Sequence, residues 1–148
     1  MHDAILTMLT VVDWLANDLH YQYEGKGFYE NHLLADRVRD FGSAKDDYRE
    51  VYWLGHLEKK PPLDKDIAGY ACRMYDTIVG RNPCLLTRLY DGLSVLAHQV
   101  EVCKKDAIPG GVQAILDDIS KRVLTYKFLV RSEMKLDEPS KTNTTSVQ

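Results

Sequence analysis

The stretch Asp3–Tyr23, DAILTMLTVVDWLANDLHYQY, decides the fold class. Its apolar residues recur every three or four positions, which is the spacing that places side chains on one face of an α-helix. The sequence therefore predicts an amphipathic helix whose apolar face packs against other helices. The residues of that face are Ile5, Leu6, Leu9, Val12, Leu15 and Leu19.

The same period predicts three further long helices. The second begins near Phe28 and runs to about Leu54, the third covers 84–105 and the fourth covers 112–134. Gly42 is a weak point in the second helix, because glycine costs about 1 kcal/mol relative to alanine inside a helix. Proline and glycine at 55–62 and 80–83 bound a short helix over 64–79.

Four long helices with one long connection predict an all-α four-helix bundle with a crossover between the second and third helices. We place this bundle at residues 1–134 and a flexible polar tail at 135–148. Residues expected to face inward on the second and fourth helices include Leu33, Tyr48, Val51, Trp53, Ile115, Ile119, Val123 and Phe128.

The composition narrows the class of protein. A chain of 148 residues is one domain, and its net charge of −3 weighs against a surface that is wholly a nucleic-acid footprint. The sequence shows neither a basic leader nor an apolar stretch long enough to span a bilayer. Cys72, Cys84 and Cys103 form no C-x-x-C motif, so we expect reduced, buried thiols in a cytoplasmic protein.

Histidines and carboxylates on the first two helices form a candidate metal site. His20 lies near the end of the first helix, and His32 and Asp36 share a face of the second because they are four residues apart. Asp47 returns to that face eleven residues after Asp36, and Glu50 lies near it. Imidazole and carboxylate ligands together suit a divalent ion such as iron(II).

The length of the second helix separates these ligands into two half-sets. Along a continuous helix Asp36 and Asp47 are about 16 Å apart, whereas a metal ion binds each ligand at about 2 Å. His20, His32 and Asp36 therefore form one half-set, and Asp47 and Glu50 the other. A second copy packed antiparallel about a two-fold axis would join the halves and build two equal sites. The spacing thus predicts an oligomer.

The motifs that carry this site resemble those of a known family. The stretch His20–Phe28, HYQYEGKGF, followed by His32-x-x-x-Asp36 and then by Asp47, resembles the Dps family, the mini-ferritins named for DNA protection during starvation. The last helix, at 114–122 and 128–132, is similar to that family as well. The resemblance covers roughly residues 1–134.

The resemblance implies a ferritin-like bundle assembled into a hollow dodecamer. Such shells oxidise iron(II), commonly with hydrogen peroxide, and store ferric iron, which protects the cell from oxidative damage. It implies that His20, His32 and Asp36 of one subunit bind iron together with Asp47 of its two-fold partner.

This chain departs from the family's pattern at the fifth metal ligand. Val51 occupies the family's glutamate position. Glu50 can replace that glutamate, either with Asp47 or with Asp46, and we prefer Asp47 because it lies closer to the Asp36 stripe. The departure keeps open an alternative, a ferritin-like shell without ferroxidase activity that has a structural or DNA-associated role. A di-iron enzyme within one chain would need two Glu-x-x-His motifs, which the sequence lacks.

Three further expectations come from the resemblance. Asp117 and Asp118 lie where the family lines its three-fold iron pores. Tyr21 stands in place of the family's tryptophan, as a packing residue or an electron donor. DNA binding is expected to be weak or absent, because the chain shows no lysine-rich arm and the tail is close to neutral.

Overall fold

The regular structure of the described chain is entirely helical, as the sequence predicts. The computed structural model describes residues 2–42, 44–55, 59–106 and 108–137, and no strand occurs among them. The helices are α1 (His2–Gln22), α2 (Phe28–Phe41), α3 (Ala44–Gly55), α4 (Asp64–Arg81), α5 (Leu85–Lys104) and α6 (Gly110–Asp137). None of the helices in these residues is long and apolar enough to cross a membrane.

Helix α1 lies at the centre of the packing. The six residues of its predicted apolar face are all buried. It contacts α2, α3, α4 and α5, whereas α6 packs against α5, α3 and α2. Helix α1, the α2–α3 pair, α6 and α5 therefore surround one core in that order, and α4 covers the outside of α1. The described chain is a helical bundle.

The predicted second helix is divided in two, which corrects the expectation of one continuous helix to Leu54. Helix α2 ends at Phe41 and α3 begins at Ala44. The division comes from tertiary packing as well as from propensity, because Gly42 is pressed against α1. A Cβ added at Gly42 would lie 2.7 Å from Oδ1 of Asp13 and 3.0 Å from the carbonyl oxygen of Arg39.

Substitution of Gly42 by alanine is expected to destabilise the protein by about 1 kcal/mol or more. The added methyl group would push the side chain of Asp13 aside, because Gly42, between α2 and α3, is packed closely against α1. Gly69→Ala in α4 is the matched control, since nothing lies within 4 Å of its added Cβ. That control should stabilise the protein by up to about 1 kcal/mol. Urea unfolding of both variants measures the difference, and equal stabilisation by the two would contradict this account of the junction.

Two predicted boundaries also change. Helix α4 has 18 residues, so the helix in the crossover is not short. Its buried residues, Ile67, Ala71 and Ile78, are spread over most of the helix and face α1. A Cβ added at Gly69 or Gly80 would contact no other atom, so these two glycines lie on the open side of the helix. Helix α6 continues to Asp137, three residues past the predicted end, and residues 138–148 of the predicted tail lie outside the described residues.

Five side chains expected to be buried are exposed, and Leu33 of α2, 45% exposed, is one of them. Cys72 and Cys84 lie at the surface, and only Cys103 is buried as predicted. Trp53 is 62% exposed and Phe128 70% exposed. Phe128 lies on the side of α6 opposite to its buried stripe, so the apolar residue there does not follow the helical period. The buried stripe of α6 consists of Val112, Leu116, Ile119, Val123 and Val130.

Candidate metal centre

A tight turn aligns the start of α2 with the end of α1. Gly25 and Gly27 adopt φ values of 102° and 80°, which residues other than glycine rarely adopt. The buried Asn31 donates a hydrogen bond from Nδ2 to the carbonyl oxygen of Gly27 at 2.9 Å. This turn determines which level of α1 faces α2, and it places His32 beside His20.

His20, His32 and Asp36 form a cluster of metal-ligating side chains. One ligand atom from each lies within 4.8 Å of those of the other two. Nδ1 of His20 is 3.1 Å from Oδ1 of Asp36, and the two imidazole rings stack with centroids 3.9 Å apart. No other group of three such residues occurs in the part of the chain that the structure describes.

The imidazole of His20 is the most constrained member of the cluster. Its side chain is only 10% exposed, and Nδ1 is buried without a hydrogen-bond partner, since Asp36 is close but not aligned as an acceptor. Buried polar atoms are nearly always hydrogen-bonded, so an unpartnered one calls for an explanation. A cation held between His20, His32 and Asp36 would satisfy this atom, and one carboxylate with two imidazoles fits iron(II).

An arginine lies next to the cluster. Arg39 donates a hydrogen bond from its guanidinium to Oδ1 of Asp36 at 3.1 Å, so this oxygen faces both Arg39 and His20. The same guanidinium lies over the ring of Tyr21, 5.4 Å from its centroid, and Tyr21 meets His20 edge to face. Sequence reasoning missed Arg39, although its position three residues after Asp36 is an ion-pair spacing on a helix.

The other two predicted ligands lie elsewhere on the molecule. Asp47 and Glu50 are exposed on α3, where they line a hollow of about 290 Å³ between α3 and α6 together with Asp118. They do not join His20, His32 and Asp36 within one chain. This separation is compatible with two half-sets on a single subunit.

The neighbouring residues bear on the choice of the fifth ligand. Asp46 forms an ion pair with Arg49 at 2.6 Å, and Arg49 also contacts Asp64 at 2.6 Å. Val51 is fully buried, so its side chain belongs to the core. Glu50 therefore remains the exposed carboxylate that lines the same hollow as Asp47.

The ring of Phe28 lies against the imidazole of His32, with centroids 5.5 Å apart. None of the protein-family models, curated proteins or solved structures compared with this chain matches it.

Proposed function

We propose that this protein is a Dps-like mini-ferritin that binds and oxidises iron(II) at sites shared between subunits. The observation that carries the proposal is the His20–His32–Asp36 cluster with its buried, unpartnered Nδ1 of His20. Nδ1 of His20 lies 3.1 Å from Oδ1 of Asp36 without an aligned hydrogen bond, and a bound cation between these side chains would offset the cost of about 1–3 kcal/mol that a buried unpaired polar atom carries.

The surface around the cluster supports a second copy as the source of the remaining ligands. Tyr29, Leu33, Asp36 and Asp40 follow helical spacing along the outer face of α2, and Tyr29 is 68% exposed. On α3, Trp53 and Glu50 are also exposed. Tyr29 and Leu33 at one end and Trp53 and Leu54 at the other are exposed apolar side chains that a partner subunit could cover.

Two copies packed antiparallel about a two-fold axis would cover the exposed residues of both α2 and α3. The midpoint between Asp36 and Asp47 falls at Phe41–Gly42, so a two-fold axis there would bring Asp36 beside Asp47 of the partner subunit. The same axis would set Trp53 against the end of α2 that carries Tyr29. One packing would therefore cover the exposed aromatic rings and complete two metal sites.

The chemistry is the oxidation of iron(II) as a substrate. Two iron(II) ions each give up one electron to one hydrogen peroxide molecule. The O–O bond breaks, two protons are taken up, and two water molecules form. Because both electrons reach the same peroxide, no hydroxyl radical is released. Iron(III) then hydrolyses and is stored as ferric mineral inside a hollow shell, for which we propose a dodecamer in the cytoplasm.

The alternative is a shell without ferroxidase activity, and one observation favours it. Val51 is buried at the position of the family's glutamate, so the shared site holds one carboxylate fewer unless Glu50 contributes. DNA association remains a proposal for this alternative, and the tail on which it would depend lies outside the described residues.

The test of the proposed function is anaerobic addition of iron(II) to the purified chain, followed by hydrogen peroxide. We expect ferric absorbance to rise with two iron(II) consumed per peroxide, in an assembly larger than a monomer by native mass spectrometry. An assembled shell with only the slow, protein-independent rate would support the alternative, and a monomer that binds no iron would overturn both.

Arg39 is expected to weaken binding of the cation, because its guanidinium already neutralises Asp36. Replacing Arg39 by glutamine should tighten cobalt(II) binding about tenfold, the effect of removing one positive charge a few ångströms away at a dielectric close to that of water, as fits this partly exposed pair. Arg37→Gln is the matched control, an exposed arginine on the same helix. Isothermal titration of both variants compares the affinities. Weaker binding by Arg39→Gln would mean that Arg39 chiefly orients Asp36.

A further inference from the structure

The two half-sets of ligands, or half-sites, lie on different helices, and each helix is held against the bundle by its own contacts. Helix α2 brings His32 and Asp36 against the end of α1, whereas Asp47 and Glu50 belong to α3, beyond the break at Gly42. The position of one half-site therefore does not determine that of the other. What holds α3 in place decides where Asp47 and Glu50 are presented.

Two tyrosines attach α3 to the first turn of α1. The hydroxyl of Tyr48 is hydrogen-bonded to Nδ1 of His2 at 2.6 Å, and the hydroxyl of Tyr52 donates to Oδ1 of Asp3. Both tyrosines are fully buried, and each ring lies 5.9 Å from the imidazole of His2, centroid to centroid. They are four residues apart, so they form one contact along the inner face of α3.

The hydroxyls of this pair remain protonated. Burial raises the pKa of Tyr48 well above its ordinary value, and the nearby acidic groups of Cys103, Tyr52 and Asp3 raise it further. Burial also raises the pKa of Tyr52, together with its hydrogen bond to Asp3. Both phenols therefore keep their hydrogen bonds across the physiological pH range.

On its other side α3 packs against α6, and a hollow remains beside its two carboxylates. There the hollow of about 290 Å³ separates Asp47 and Glu50 from the first turns of α6. At the start of α3 the contact of Lys45 with Asp13 of α1 is long, at 3.7 Å. The tyrosine pair supplies the side-chain hydrogen bonds that join α3 to α1, and these bonds fix the rotation of α3 that aims its two carboxylates.

We propose that Tyr48 and Tyr52 are positioning residues that aim the carboxylates of Asp47 and Glu50 at the shared metal site. The inference rests on the proposed function, since it assigns these carboxylates to a partner's cluster. Neither tyrosine touches the metal, so both act through the orientation of α3.

A double-mutant cycle tests this, with cobalt(II) as the probe and the assembled protein as the sample. The double variant Tyr48→Phe/Tyr52→Phe keeps both rings and loses only the hydroxyls. We expect its cobalt(II) affinity to fall about tenfold, the loss typical of hydrogen bonds that involve a charged group. In a background that carries Asp47→Asn and Glu50→Gln, the same change should have no further effect, because the residues it positions are already gone.

Tyr75→Phe is the matched control. Its hydroxyl donates to Oδ2 of Asp18 at 2.5 Å, which also joins a tyrosine to an aspartate of α1, but on α4 and away from α3. This variant should leave the affinity unchanged. If the double tyrosine variant does not fold, Asp3→Ala replaces it and Asp3→Asn, which retains an acceptor for Tyr52, should restore the affinity.

The outcomes separate the two proposals. Equal losses in both backgrounds, or no loss in either, would overturn the positioning role while the wild-type protein still bound cobalt(II). A wild-type assembly that binds no cobalt(II) would instead remove the proposed function, and this inference with it.

Discussion

Replacing His32 by glutamine or Asp36 by asparagine is expected to lower iron(II) affinity and the rate of peroxide-dependent oxidation at least about 100-fold. Loss of a residue that only supports a metal ligand typically costs about 10–100-fold, and these side chains would be ligands themselves. Both substitutions keep the approximate shape and remove a donor atom. Anaerobic iron(II) titration and stopped-flow absorbance after peroxide addition measure the two quantities.

His20 provides the sharper form of this prediction, because function and stability should move in opposite directions. His20→Leu fills a similar volume and removes the buried Nδ1 that has no hydrogen-bond partner. Removing such an atom should raise the free energy of unfolding by about 1 kcal/mol or leave it unchanged, while iron oxidation is lost. Urea unfolding beside the oxidation assay gives both values.

The control for the cluster is His98→Gln on α5, an exposed histidine outside the group of three. It should retain the wild-type affinity and rate. If His32→Gln and Asp36→Asn oxidise iron as fast as this control does, the cluster is not the site. If His20→Leu instead unfolds the protein, His20 is a structural residue and its unpartnered nitrogen needs another explanation.

The agreement between sequence and structure is greatest where local spacing determines the result. The stripe of α1 needs only the helical period, and so does the shared face of His32 and Asp36. The meeting of His20 with that face also follows from sequence, because the glycines at 25 and 27 make the turn tight and so determine the level at which the helices meet.

The disagreements occur where the cause is distant in the chain. Helix α2 ends at Phe41, and the next residue, Gly42, packs so closely on Asp13 of α1 that a side chain there would clash, a contact that helix propensity alone cannot reveal. The exposure of Trp53 and of Phe128 shows that an apolar residue at a helical position does not have to face the core. Arg39 could have been found by its spacing from Asp36, whereas the tyrosine contacts that hold α3 could not, since they join residues 46 and 49 positions apart.

Mixing two inactive variants is expected to restore activity, which is the second large effect. Asp36→Asn removes a ligand from one half-site, and Asp47→Asn from the other. If the site is shared across a two-fold axis, a hybrid dimer of the two variants contains one site with both substitutions and one site with neither. Each variant alone has no intact site, because every site then carries the same lesion.

The size of the recovery follows from the symmetry. When the variants are unfolded together and refolded as an equal mixture, about a quarter of all sites combine the intact Asp47 of the Asp36→Asn variant with the intact Asp36 of the Asp47→Asn variant. About a quarter of wild-type oxidation should therefore return. This fraction is the same for a dimer and for a dodecamer built from such dimers. Refolding each variant separately and then mixing without exchange provides the control, which should stay inactive. Recovery to that level would require both chains at one site, whereas no recovery from a refolded mixture whose hybrids are seen by native mass spectrometry would place Asp36 and Asp47 in unconnected roles.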